Sequence, residues 1–273
     1  MAASTLPAVP AAPFDALAET YDEVFTNSLI GRAQRDAVWK ELDRRFHPGQ
    51  RILELNCGTG ADAVHLADRG VEVMACDVSP RMIAVARQRL TAARPTAPPH
   101  FRVLATEEIS QLEPDAPFDG AFSNFAGLNC VEDLRGAAVE LARLVRPEGR
   151  VLLCMAGRTV AWEIIWYLAQ GNPLKAMRRF RRHRVEARLA EGVTVAVHYP
   201  SARTMTQVFA PEFELRSSKG IGVTVPPSYL EHLARRWPRV LTALVQADQY
   251  ICRLPLARSA ADHVLFEFER VRW

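Results

Sequence analysis

The stretch Ile52 to Asp62, ILELNCGTGAD, constrains this chain more than any other. A short apolar strand runs into a turn carrying Gly58 and Gly60, and a helical pattern starts at about Ala61. Glycines at such a turn accept left-handed backbone angles and leave no side chain between the backbone and a ligand. The helix that follows offers unpaired N–H groups at its start. The segment therefore predicts the first strand–turn–helix unit of a doubly wound α/β sheet, with a nucleotide-like ligand lying across the turn. The turn alone leaves two ligand classes open. Gly58, Gly60 and Ala63 satisfy the G-x-G-x-x-G/A spacing of a dinucleotide site, and Asp77 closes the next strand where an acid would grip a ribose. Glu54 and Asp62, however, place carboxylates on either side of the turn, which suits a cationic ligand without phosphate better than a pyrophosphate.

Three further segments extend the pattern. VEVMACDVSPRMIAVAR, from Val71, reads as a strand ending in Asp77 and a helix started by Ser79-Pro80. FDGAFSNFAGLNCVEDL, from Phe118, reads as a strand and its carboxyl-end loop, and RPEGRVLLCM, from Arg146, as a turn and strand. Together with the first turn they resemble the class I S-adenosylmethionine-dependent methyltransferases, across roughly half of the chain. The first motif of that family is commonly an acidic residue followed by x-Gly-x-Gly-x-Gly. This chain departs from it at Asn56, the non-glycine residue type that best tolerates left-handed angles.

The resemblance implies a Rossmann-like, mostly parallel seven-stranded sheet with an antiparallel final hairpin, S-adenosylmethionine as cofactor and S-adenosylhomocysteine as product. It also implies a set of donor contacts. Glu54 and the turn Asn56, Cys57, Gly58 and Gly60 would face the amino-acid moiety, with Tyr21 closing over it. Asp77 would bind the ribose hydroxyls, Val78 and Met82 would flank the adenine, and Thr106 and Glu107 would meet its amino group. Asn124 and Phe125 would touch the donor beyond the fourth strand.

At 273 residues, 49% of them apolar and 24% charged, the chain can bury a full core. It has no run of about 18 apolar residues that would suggest a membrane span. The net charge of +3 selects no partner class. Five cysteines without C-x-x-C spacing fit reduced thiols in a cytoplasmic protein and no zinc site. Strands and helices alternate from Arg51 to Met155, as a parallel sheet requires. The expected organisation is a disordered tail at 1–13, a cofactor-binding core at 14–156, helical lid segments at 157–197 and 225–256, and returns to the core sheet at 198–224 and 257–273. A basic stretch, Lys175 to Arg188, reads as a solvated face of the lid or as a patch for an anion or an acidic membrane surface. No aromatic platform accompanies it, so no nucleic-acid partner is expected.

A sulfonium methyl is already electrophilic, so positioning a nucleophile in a dry site is the main demand, and a catalytic base is optional. His198 and Tyr199 are the candidates for a base. Asn129, Trp162, Trp166 and Tyr229 are candidates for acceptor contacts, with His183 and His232 as further polar groups near the lid. Aromatic residues on the lid suit a hydrophobic small molecule, methylated at oxygen, nitrogen or carbon. Alternatives are an S-adenosylmethionine-dependent displacement or cyclisation, a nicotinamide-dependent oxidoreductase, and a non-catalytic binding protein with the same fold.

Overall fold

A computed structural model describes residues 12–177, 179, 184–190 and 192–272. Seven strands form one sheet in the order β3-β2-β1-β4-β5-β9-β8, and β6 pairs with β7 in a separate two-stranded sheet. The first five strands are β1 (Arg51–Leu55), β2 (Glu72–Asp77), β3 (His100–Val103), β4 (Phe118–Ser123) and β5 (Val145–Ala156), all parallel. β9 (His263–Arg270) runs antiparallel between β5 and β8 (Phe213–Ile221), which gives the expected final hairpin.

Helices cover both faces. α1 (Leu29–Arg45), α2 (Ala61–Ala67) and α3 (Pro80–Ala93) precede α4 (Leu134–Leu144). Period-two alternation in β1 sends Leu53 and Leu55 into one core, with Leu141, Phe209 and Phe268. It sends Ile52 into the opposite core, with Val38, Leu42, Leu66 and Phe122, so Glu54 is carried to the α1 side of the sheet. Local signals start the helices. Ser79 accepts from Met82 N and Pro80 opens α3, and Ser28 accepts from Gly31 N at the start of α1. The chain before β1 is divided into a 3₁₀ turn Pro13–Leu17, a π turn Asp22–Thr26 and α1. Most of the tail expected at 1–13 lies outside the described residues.

The lid region departs from the expectation. Its first part is helical, α5 (Ala161–Ala169) and α6 (Pro173–Ala176), but β6 (Arg184–Ala190) and β7 (Val193–His198) form an antiparallel hairpin where helix was expected. Period two explains it. Val185 pairs with Val197 and Ala187 with Val195, while Arg184 pairs with His198 and Arg188 with Thr194, so one face is apolar and the other polar. Gly192, with φ of 73°, turns the chain between the strands. α7 (Ala202–Phe209) follows, capped by Ser201, whose hydroxyl accepts from Thr204 N. After β8 come α8 (Glu231–Arg236), α9 (Pro238–Ile251) and α10 (Pro255–Ser259). These pack on α1 and α5 through Ile30, Val225, Leu230, Ala234 and Leu241.

Candidate active site

The turn after β1 is held in a left-handed run: Asn56, Gly58 and Gly60 have φ of 54°, 53° and 71°. The two glycines serve different ends. A Cβ on Gly58 would meet nothing within 4 Å, so this backbone faces open space. A Cβ on Gly60 would lie 2.7 Å from the Phe101 ring and 2.8 Å from Ala86, so here the small residue lets the elements pack. Asn56 replaces the usual glycine and ties neighbouring loops together. Its Nδ2 donates to Thr106 Oγ1 at 3.1 Å, and its Oδ1 accepts from Ser123 Oγ at 3.0 Å.

Asp77 lies against the same turn. Its carboxylate accepts from Gly58 N and from Ser79 N, both at 2.9 Å. Burial raises its pKa, and these two backbone donors pull it partly back. Glu54 is more deeply enclosed. Burial, and then the Asp62 charge, push its carboxyl well above the usual range, and its Oε2 is buried with no hydrogen-bond partner among the described residues.

A second cluster lies beside the turn. Asp62 Oδ1 accepts from Arg35 Nη1 and from Trp39 Nε1, each at 2.6 Å, and Oδ2 accepts from Asn124 Nδ2 at 2.9 Å. The Arg35 guanidinium also lies 4.8 Å from the centre of the Phe125 ring. Phe125 and Ala126 hold left-handed angles, φ 46° and 66°, a strained pair of the kind found where structure around a site over-determines the backbone. Phe125 meets Phe25 edge-on, and Phe25 packs beside Tyr21, whose phenol burial pushes up to about 12. The segment carrying these rings is fastened twice. Asp15 accepts from Ser79 Oγ, and Asp22 accepts from Thr59 Oγ1 at 2.7 Å and from Arg89.

Between these parts lies a cavity of about 460 Å³ at the carboxyl ends of the strands. Tyr21, Asn56, Gly58, Asp77, Val78, Met82, Thr106, Glu107, Asn124 and Phe125 line it, so ten of the expected donor contacts come together. Glu54, Cys57 and Gly60 stand behind the wall. The far wall is apolar: Phe14, Val131, and Ala187, Leu189, Val195 and Val197 from the hairpin.

The expected acceptor and base residues are placed elsewhere. Asn129 is fully buried and committed to backbone, donating to His198 O at 2.6 Å and accepting from Ala156 N at 2.9 Å. Trp162 donates to Thr224 O at 3.0 Å and packs with Trp166 on the α8–α9 side, where Trp166 meets His232. Tyr229 stacks on Tyr167. His198 lies on the polar face of the hairpin, and Tyr199 packs under Arg179. None of these residues lines the cavity, nor does any residue of the second expected lid segment, 225–256. His183 lies outside the described residues. Arg35, Trp39, Asp15, Asp22 and Arg89 were not anticipated. Each meets its partner across 23 or more residues, with no local motif to announce it.

A family model described as a methyltransferase domain matches residues 52–149. A malonyl-[acyl-carrier protein] O-methyltransferase of Halorhodospira halophila is 32% identical over 77% of this chain and 70% of its own length. A demethylmenaquinone methyltransferase of Streptomyces avermitilis is 35% identical over 53% of this chain and 58% of its own length. Across such relatives the chain spans between 55% and 70% of their length. Among solved structures, an S-adenosylmethionine-dependent methyltransferase from Listeria monocytogenes superposes with a TM-score of 0.58, covering 86% of this chain and 96% of that one at 19% identity. The last likeness concerns the fold alone.

Proposed function

The chain belongs to the S-adenosylmethionine-dependent methyltransferases, and from that premise we propose that it methylates an apolar small molecule held between the donor-side residues and the β6–β7 hairpin. The observation that carries this reading is the composition of the cavity. One wall gathers Asn56, Gly58, Asp77 and Thr106, and the opposite wall presents apolar side chains, Phe14, Val131 and the aliphatic residues of the hairpin.

The residues present fit the cofactor. Gly58 leaves backbone open to it, Asp77 faces the cavity with lone pairs left after two backbone bonds, and Glu54 keeps a buried oxygen without a partner among the described residues. We assign Asp77 to the ribose, Val78 and Met82 to the adenine faces, and Thr106 and Glu107 to the adenine edge. Tyr21, Asn124 and Phe125 close over the other end, near Glu54. When bound, the cofactor supplies an electrophilic methyl group on a cationic sulfur.

The protein's part is then positioning and exclusion of water. The Tyr21–Phe25–Phe125 rings and the hairpin enclose the acceptor, and proximity with orientation can supply on the order of 7–11 kcal/mol at the upper end. The titratable groups on the wall are Tyr21, Asp77, Glu107 and Cys130. Burial raises the Tyr21 and Cys130 pKa values, so the phenol and the thiol stay protonated at neutral pH and neither is a ready base, and the Asp77 carboxylate is occupied by two backbone N–H groups. The reading therefore assigns no general base to His198 or Tyr199 and favours an acceptor atom nucleophilic by itself. The test is turnover of a panel of apolar phenols, quinols and amines, followed by mass spectrometry. Products heavier by one CH₂, formed with S-adenosylhomocysteine, support the reading. Turnover confined to charged acceptors overturns it.

A further inference from the structure

A second surface, remote from the cavity wall, carries its own signal. Between His232 and Ala261 the chain has Arg235, Arg236, Arg239, Arg253 and Arg258 but only one acid, Asp248. Asp248 is buried and accepts from Thr224 N at 2.8 Å, so it offers no charge to solvent. Glu231, at the head of α8, is occupied with the first turn of α1, accepting from Leu29 N at 3.0 Å and Ile30 N at 3.1 Å, and it also pairs with Arg235. The outer surface of α8–α10 is thus basic, with no acid of its own segment facing outward.

The same surface exposes large apolar side chains at the two ends of α9. Trp237 is 51% and Val240 54% exposed at its start, where Arg235 to Val240 are all exposed. Tyr250 is 83%, Leu254 56% and Leu256 87% exposed at its end. Isolated exposed hydrophobics are ordinary, but five of them interleaved with arginines on one helical hairpin are not. The Arg236 guanidinium lies 5.5 Å from the Trp237 ring centre, a pairing in which the stem and the ring share an apolar layer while the charge stays wet. Leu241 and Asp248 turn inward, and Arg239, Gln246 and Tyr250, at i, i+7 and i+11, form one outward line along a helix about 21 Å long.

We infer that this face, α8 to α10, is a docking surface for an anionic lipid bilayer. Arginines meet lipid phosphates and anionic headgroups, and Trp237, Val240, Tyr250, Leu254 and Leu256 enter the headgroup–acyl boundary. Protrusion selects a bilayer over a folded acidic protein: side chains exposed by 83% and 87% stand out from the surface rather than line a groove. No helix among the described residues is long and apolar enough to cross a membrane, so the association is peripheral.

The test is flotation of the full chain with vesicles of phosphatidylcholine alone and of phosphatidylcholine mixed with phosphatidylglycerol. The expected result is binding to the anionic vesicles, loss of binding when salt rises from about 0.1 M to about 1 M, and little binding to the neutral ones. Replacing Arg235, Arg236 and Arg239 with Gln together weakens binding on the order of 100-fold, at the strength each cation contributes near an anionic surface. Replacing Trp237 and Leu256 with Ser weakens it on the order of tenfold or more. Both variants keep the affinity for S-adenosylhomocysteine, which shows that they are folded and separates this surface from the donor site. Three results would each overturn the inference: no recovery with anionic vesicles, recovery unchanged in both variants, or self-association or capture of an acidic carrier protein that accounts for the patch without lipid.

Discussion

Replacing Asp77 with Asn separates the two duties assigned to that carboxylate. In the absence of any ligand, its oxygens accept from Gly58 N and Ser79 N, so the residue holds the glycine turn to the start of α3. Asn keeps one acceptor oxygen but turns its NH₂ toward the other backbone donor. One charge-assisted bond is lost, one is reduced to neutral strength, and two donors are left face to face. At about 1.5–3 kcal/mol for a bond to a charged group and about 0.5–1.5 for a neutral one, the fold should lose about 2–4 kcal/mol. Donor binding should suffer separately, because the ribose hydroxyls lose charged acceptors. Two such bonds correspond to at least about a 100-fold weaker Kd. Urea unfolding of the ligand-free protein reads the first effect, and isothermal titration with S-adenosylhomocysteine reads the second. Stability within about 0.5 kcal/mol of the parent would refute the turn-holding role. An affinity within threefold would refute the ribose role.

Other outcomes follow from the same site. Burial holds the Glu54 pKa above its unfolded value, so its favourable contribution is complete below the unfolded pKa and is lost as pH rises through the folded one. Glu54→Gln should therefore raise the melting temperature most at the alkaline end of a series from about pH 5 to 8, with the gain shrinking on acidification; a gain that grows on acidification contradicts the sign. Arg35→Gln leaves Asp62 buried without its cation and should cost about 3–5 kcal/mol, part of it offset by the Trp39 and Asn124 donors that remain; thermal or urea unfolding tests this, and a neutral result would mean the pair is not buried. Leu189→Asp, on the apolar wall, should raise KM for an apolar acceptor at least about tenfold while donor affinity stays unchanged; equal loss of both would show that the hairpin contacts the donor instead.

How much of this was legible beforehand depends on the range of each interaction. The turn from Asn56 to Gly60 could be read because backbone angle and residue type are coupled locally, and Asn56 adopts the left-handed angle its side chain tolerates. The mostly parallel sheet with its antiparallel final hairpin followed from strand–helix alternation and the resemblance. The hairpin was missed although Val185, Ala187, Val195 and Val197 alternate cleanly, because the arginines around them satisfy a helical reading equally well. Trp162 and Trp166 suggest acceptor contacts by their aromatic character, and Tyr229 by its polar group. The two tryptophans pack in the seam between α5 and α8–α9, the commoner fate of aromatics at helical spacing, while Tyr229 stacks on Tyr167 and stays partly exposed. Arg35 and Asp62 lie 27 positions apart, and no period in the sequence couples them.

The most direct test of the central claim is titration of the purified chain, side by side, with S-adenosylmethionine, S-adenosylhomocysteine, NAD and NADP. The account predicts saturable binding of the first two, weakened by Asp77→Asn, and none of the dinucleotides. Binding of a dinucleotide alone would contradict it and return the glycine turn to hydride chemistry.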